Sequence, residues 1–442
     1  MTIERPRLLA QLIDSKHSDF VKIITGIRRC GKSFLLFELF KRHLLDEGVT
    51  KDHIVEIDLE KDENAALTDP IALGKFIRER TPEGRGMFYV LIDEIQRCRK
   101  VLPAGVDLSR IHPDDRESAY VTFYDVLNGL RTAPHIDVYV TGSNSKLLSS
   151  DVATEFRGRG KVIHATPLSF AEFRASRSVV PDTMAVLREY LTFGGMPESV
   201  GIEVPEERQS YLSGLFSTIY IRDLVKRHGL HGDAALNMVT DAIMSMAGSL
   251  TNPAGLANFL KSTQGFVCSR DTIAKHLGYL EDAFMIGKAR RFDVRGRHYL
   301  DSPAKYYASD TGLRNARTGF RQIEFPHLME NVIYNELLRG GYTVDVGVVG
   351  LEGRREGRHV RSAHEIDFVV NRGYERIYIQ SAWMIPDREK MEQETFSLKH
   401  TGDNFKKIVI DGQPSAKYRD EDGICHIGLA EFLLDPRSIE TL

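Results

Sequence analysis

The chain has 442 residues, of which 42% are hydrophobic, and a formal net charge of −3. That length suggests two to four domains with ordinary packed cores, and the near-neutral charge excludes a generic nucleic-acid binder, so any such binding must come from local patches. Cys30, Cys98, Cys268 and Cys425 form no C-x-x-C pair, the N-terminus MTIERPRLLA is no signal peptide, and no apolar run nears a membrane span, so a reduced cytoplasmic protein with no membrane partner is expected.

The first strong element is an apolar run, Val21-Lys22-Ile23-Ile24-Thr25, which reads as a strand. It leads into Gly26-Ile27-Arg28-Arg29-Cys30-Gly31-Lys32-Ser33, a complete G-x-x-x-x-G-K-[ST] sequence, and then into an amphipathic helix from Phe34 to Leu45. Strand, glycine loop and helix in that order make a phosphate cradle. The glycines let successive N–H groups face phosphate oxygens, and the helix N-terminus adds partial positive charge. Lys32 is placed for the β- and γ-phosphates and for catalysis, Ser33 for Mg²⁺, and Gly26 through Phe34 for the nucleotide. The motif predicts ATP or GTP without deciding between them.

A second strand reads at His53–Leu59. A third, Met87–Ile92, is apolar on both faces, as in a parallel sheet, and runs into Asp93-Glu94. Carboxylates at a strand's C-terminal end lie where open α/β sheets bind ligands. Asp93 is the expected Mg²⁺ ligand, directly or through water, and Glu94 the expected base for the attacking water. A helical stretch at Tyr120–Leu130 precedes strand Asp137–Thr141, which ends in Gly142-Ser143-Asn144-Ser145. A polar side chain at this tip can touch the γ-phosphate or the water; Asn144 is the first choice and Ser143 the second, with ordinary turn chemistry as the alternative. Arg157 and Arg159 stand just before a further strand, Lys161–Ala165, and either suits an arginine finger, a group that stabilises charge during phosphoryl transfer.

The order of these parts resembles the AAA+ ATPases. More narrowly, Gly-Ile-Arg-Arg-x-Gly-Lys-Ser, Leu-Ile-Asp-Glu-Ile-Gln and Thr-Gly-Ser-Asn-Ser resemble a prokaryotic AAA family whose members carry a C-terminal domain of unknown function. The likeness extends through Pro167-Leu168-Ser169-Phe170-Ala171-Glu172-Phe173, Phe193-Gly194-Gly195-Met196-Pro197 and Ile219-Tyr220-Ile221-Arg222-Asp223-Leu224, nearly the whole chain. It implies adenine over guanine. It also implies a finger, Arg157 or Arg159, acting on a neighbouring subunit, hence a homo-oligomer, a hexameric ring being one form.

On this reading residues 1–175 form the P-loop parallel-sheet ATPase domain and 176–245 a helical lid. Within 246–325, Pro253–Thr263 and Arg270–Phe284 read as helices, the second capped by Ser269, and Ile286–Phe292 and Arg297–Leu300 as strands around a turn at Arg295-Gly296. Helix–turn–helix followed by a hairpin resembles a winged-helix module. Lys288, Arg290, Arg291, Arg295 and Arg297 against Asp293 make the hairpin a DNA-binding candidate. Protein docking, or a solvated sheet edge, is the alternative.

In 326–442 a helix at His327–Gly340, strands at Tyr342–Val349, Glu365–Val370 and Ile377–Ala382, a helix near Asp387–Lys399 and a strand at Phe405–Asp411 resemble the restriction-endonuclease-like fold of the PD-(D/E)xK nucleases. That chemistry needs carboxylates around a metal and a lysine near the attacking water. Glu330 and Asp367 are the candidate second metal site. The third strand departs from the pattern, reading Tyr378-Ile379-Gln380 where an acid, any residue and lysine are needed, so a degenerate nuclease fold is expected. Between the first two strands, Arg354-Arg355-Glu356-Gly357-Arg358-His359-Val360-Arg361 reads as a basic loop, able to track a phosphate backbone or equally to be a disordered solvated excursion.

The expected fold is therefore multidomain α/β: an AAA+ domain, a helical lid, a winged-helix module and a nuclease-like domain. The expected function is Mg²⁺-dependent ATP hydrolysis by an oligomer acting on DNA, including branched or repair intermediates. A nucleotide-dependent switch for protein partners and an ATP-regulated nuclease are the alternatives.

Overall fold

A computed structural model describes residues 2–143, 155–156, 158–177, 182–230, 232, 234–321, 323–355, 358–414 and 416–441. By internal contacts these residues fall into two compact units, Thr2–Thr166 and Pro167–Leu442, where the sequence suggested four segments.

The first unit is built on a five-stranded, all-parallel sheet. Its strands are β1 (Val21–Thr25), β2 (Ile54–Asp58), β3 (Phe88–Asp93), β4 (Ile136–Gly142) and β5 (Gly160–His164), in spatial order β2-β3-β4-β1-β5. Every residue of β1, β3 and β4 is buried, as the unbroken apolar runs require of strands covered on both faces. The helix after β1 starts at Lys32 and continues to Asp46, burying Leu35, Leu36, Leu39, Phe40 and Leu44. A second helix, Phe123–Arg131, is fixed at its start by Asp125, whose carboxylate accepts the Thr122 N–H at 2.8 Å. β4 lies between β1 and β3 and pairs Thr25↔Gly142 and Ile92↔Val140. Its C-terminal end therefore stands between the glycine loop and the acidic pair, and this insertion assembles the site.

The second unit combines helices with a nine-stranded mixed sheet. Its strands are β6 (Leu250–Thr251), β7 (Ile286–Asp293), β8 (His298–Ala308), β9 (Thr343–Arg355), β10 (Arg358–Arg372), β11 (Glu375–Ala382), β12 (Lys406–Asp411), β13 (Tyr418–Arg419) and β14 (Cys425–Gly428). Their order is β13-β14-β12-β11-β10-β9-β7-β8-β6. The helices Pro253–Gln264 and Arg270–Asp282 form as expected, the second capped by Ser269, whose Oγ accepts the Thr272 N–H at 3.1 Å. The hairpin that follows is no free-standing wing: β7 pairs in parallel with β9 from Arg291↔Val346 to Asp293↔Val348, so segments 246–325 and 326–442 share one sheet. The expected order of helix, three strands, helix and strand is present, followed by β13, β14 and the helix Leu429–Leu434.

One stretch read as a loop is strand. Glycines and like charges in 353–361 argue for an irregular excursion, yet the β9–β10 ladder continues to Arg355↔Arg358, because pairing satisfies the backbone groups a loop would leave to water.

The Gly194-Gly195 pair ends the helix Thr183–Phe193 at a joint within this unit. Gly194 has φ +68°, and a Cβ there would lie 2.1 Å from the Asp310 carboxylate. Asp310 accepts the Gly195 N–H at 2.6 Å and the Leu313 N–H at 2.9 Å, while Asn315 Nδ2 donates to the Thr192 carbonyl at 2.8 Å. The start of the helix Thr311–Arg317 is thus stapled to the end of the helix Thr183–Phe193.

Candidate nucleotide-binding site

The glycine loop is shaped by its backbone. Gly26 (φ +144°) has no space for a side chain, since a Cβ would meet the Ala165 carbonyl oxygen at 1.9 Å. Arg29 and Gly31 also take positive φ, and the helix begins at Lys32. Cys30 is buried behind the loop with Sγ 3.3 Å from the Ala165 carbonyl, and Arg5 clamps that side through the Cys30 carbonyl (3.0 Å) and the Thr166 carbonyl (2.7 Å). Arg28 pairs with Glu60 at 3.3 Å, and Phe34 is partly exposed.

Lys32 is buried, and its Nζ donates to the Gly26 and Ile27 carbonyls at 3.1 Å each. Ser33 Oγ donates to Asp93 Oδ2 at 2.7 Å, and Thr141 Oγ1 donates to Asp93 Oδ1. The Asp93 pKa is raised, first by burial, against the opposing bonds from Thr141 and Ser33. An ammonium, a hydroxyl and a buried carboxylate gathered at a helix N-terminus suit a nucleotide phosphate and its divalent cation.

Glu94 follows at the strand end in a left-handed conformation, φ 53°. Its N–H donates to Thr141 Oγ1 at 3.0 Å. Its Oε2 accepts from Ser143 Oγ at 3.1 Å and from the Gln96 amide. Burial raises its pKa, with Lys32 pulling the other way. A buried carboxylate on strained backbone, held by two side chains, has the fixed placement and raised pKa that a general base needs. Thr141 and Gln96 were not singled out from the sequence; their positions in Thr-Gly-Ser and Asp-Glu-Ile-Gln carry the only signal.

Asn144 and Arg157 lie outside the described residues, so Ser143 is the polar residue of the β4 tip seen to touch Glu94. Arg159 is exposed, follows the buried anchor Phe156, and pairs with Asp19 at 2.7 Å.

In the second unit, Glu330 and Asp367 are both buried. Glu330 accepts from Lys305 Nζ at 2.8 Å and Tyr307 OH at 2.6 Å, and Lys305 also pairs with Glu365 at 2.7 Å. Asp367 accepts from Ser381 N–H at 2.9 Å and Ser381 Oγ at 2.7 Å. Burial and then the Asp367 charge push the Glu330 pKa up to about 7. The acids thus have an ammonium among them, from β8, which the sequence reading did not find. Among the described residues no group of three or more His, Cys, Asp or Glu has metal-holding geometry. Tyr378 is buried with its hydroxyl on Asp403 at 2.7 Å, and the Gln380 amide reaches Glu394 at 3.3 Å.

Of the basic hairpin residues, Lys288, Arg290, Arg295 and Arg297 are exposed and Arg291 is half-buried. Arg290 lies over the Tyr299 ring at 4.1 Å. No helix among the described residues is long and apolar enough to cross a membrane.

An AAA domain matches residues 18–174, and a Domain of unknown function (DUF8612) matches residues 184–324. An uncharacterized protein of Haemophilus influenzae is 34% identical over 98% of both chains, and one of Methanocaldococcus jannaschii is 23% identical over 88% of this chain and 84% of its own. Similar solved structures include Aeropyrum pernix ORC1 in complex with DNA (13% identity, 72% of this chain and 93% of that one, TM-score 0.29) and AMPPCP-bound DnaA from Aquifex aeolicus (11%, 62% and 86%, TM-score 0.31). The chain belongs to a prokaryotic family that joins an AAA nucleotide-binding domain to a domain of unknown function.

Proposed function

We propose that the protein is a Mg²⁺-dependent ATPase that works as an oligomer on DNA. The observation that carries the ATPase reading is the junction of Lys32, Ser33, Asp93 and Glu94 around the C-terminal ends of β1, β3 and β4. Lys32 and the loop amides hold the phosphates; Ser33 and Asp93 hold the cation, which neutralises phosphate charge when bound. Glu94 takes the proton of the attacking water, and Ser143 and Gln96 keep its carboxylate in place. Arg159, just before β5, or Arg157 serves a neighbouring subunit's nucleotide as arginine finger. The DNA part rests on the exposed basic hairpin of Lys288, Arg290, Arg295 and Arg297.

The test is the ATPase rate at low salt without DNA and with single-stranded, duplex and four-way-junction DNA. Stimulation by one form supports a DNA-directed ATPase. Hydrolysis indifferent to every form removes the DNA part, and no hydrolysis removes the ATPase.

A further inference from the structure

Strands β9 and β10 outrun their neighbours. β7 pairs with β9 only as far as Asp293↔Val348, and β11 pairs with β10 only from Phe368 to Arg372. The β9–β10 ladder itself runs on through seven further rungs, Val349↔His364 to Arg355↔Arg358, with no third strand beside them among the described residues. At roughly 3.4 Å per residue this is a two-stranded ribbon about 20 Å long.

Its outer four rungs carry Arg354, Arg355, Arg358, His359 and Arg361, with Glu352 as the one acid and Val360 as the one apolar residue. A second basic element meets the ribbon's base. Arg295, exposed in the β7–β8 turn, donates from Nη1 to the Gly350 carbonyl at 3.2 Å, and Arg297 is exposed two residues on. Six arginines and a histidine are thereby placed along one projection of a chain whose net charge is −3.

We propose that this ribbon, with the β7–β8 turn at its base, is an arm that binds the phosphate backbone of duplex DNA; the inference rests on the DNA part of the reading above and names the surface responsible. A two-stranded ribbon has the width of the B-form major groove, whereas the major groove of A-form RNA is too narrow and deep for it. Arginine forks match phosphate oxygens in pairs. A ribbon that docked on protein or sank into a membrane would carry an apolar row, and the outer rungs have none.

The test uses the full chain and a fluorescent duplex, with anisotropy measured across a salt series. Each phosphate contact adds about 0.9 to the slope of log K against log salt. Replacing Arg354, Arg355, Arg358 and Arg361 by alanine is expected to lower that slope by about 3–4 and to weaken binding at least tenfold at about 0.1 M salt. The pair Arg358→Ala and Arg361→Ala is expected to lower it by about 2, and serves should the fourfold variant melt early. Wild-type slope and affinity in folded variants would overturn the arm while leaving DNA binding in place. A wild-type chain that binds no duplex even at about 50 mM salt would overturn both. Binding to phosphatidylserine vesicles with none to duplex would also overturn the arm, making it a membrane contact.

Discussion

Ser143 Oγ donates to Glu94 Oε2 at 3.1 Å, across the ends of two adjacent strands. The Glu94 carboxylate, the proposed base, is thus held by its neighbour on β4, and removing its charge should leave the nucleotide pocket whole. Glu94→Gln is expected to cut turnover by about 10²–10⁴-fold while fluorescent-nucleotide binding persists. Because burial raises the Glu94 pKa and the base works deprotonated, wild-type turnover should fall on the acid side at a pH above the ordinary glutamate range. That limb should be missing from the residual rate of the variant. Undiminished hydrolysis would remove Glu94 from the role.

Lys32 replaced by alanine should abolish nucleotide binding. Wild-type protein should show a rise in melting temperature on adding ATP, since a ligand bound only to the folded state at about 100 Kd contributes roughly 2.7 kcal/mol. Lys32→Ala should show none. A retained shift would mean the nucleotide does not depend on this loop.

Arg159 is an exposed residue whose pair with Asp19 is worth little to the fold, about 0–1 kcal/mol. Arg159→Ala should therefore melt like wild type, and a finger role predicts a large loss of turnover with binding kept. Turnover per subunit should also rise with protein concentration across the assembly range. If Arg159→Ala and Arg157→Ala both turn over normally, the finger lies elsewhere.

Glu330 sets a pH signature for the second unit. Its folded pKa of about 7 lies above the ordinary 4.5, so the folded state holds the proton more tightly. Stability from this group is full below about 4.5 and is lost as pH rises through about 7, on the order of 3 kcal/mol in all. Chemical denaturation from pH 5 to 8 should show wild type losing more stability than Glu330→Gln. Equal losses would mean that Lys305 and Tyr307 keep Glu330 charged throughout.

Gly194→Ala is expected to cost several kcal/mol, because φ +68° and the Asp310 carboxylate both exclude a side chain. A melting temperature within a degree or two of wild type would show that the joint yields.

The glycine loop and the Asp93-Glu94 pair were legible because their chemistry lies in short spacings that local sequence fixes. Strands β1, β3 and β4 were legible because burial on both faces leaves an unbroken apolar run. Thr141 was not, since its role depends on β4 lying between β1 and β3, a placement set by tertiary pairing. Lys305 was hidden for the same reason: it reaches Glu330 and Glu365 from β8, far along the chain. The β9–β10 ribbon was misread because glycine and charge argue against a strand, while cross-strand hydrogen bonds decide for one.

The parallel seam between β7 and β9 limits how this protein can change over generations. A recombination event that exchanged everything after residue 325 would bring a foreign strand to β7 and strip Lys305 of both its carboxylates. Among the described residues the outer ribbon pairs with no third strand, so its length can change without disturbing the sheet, but the hairpin and the strands beyond it must be inherited together.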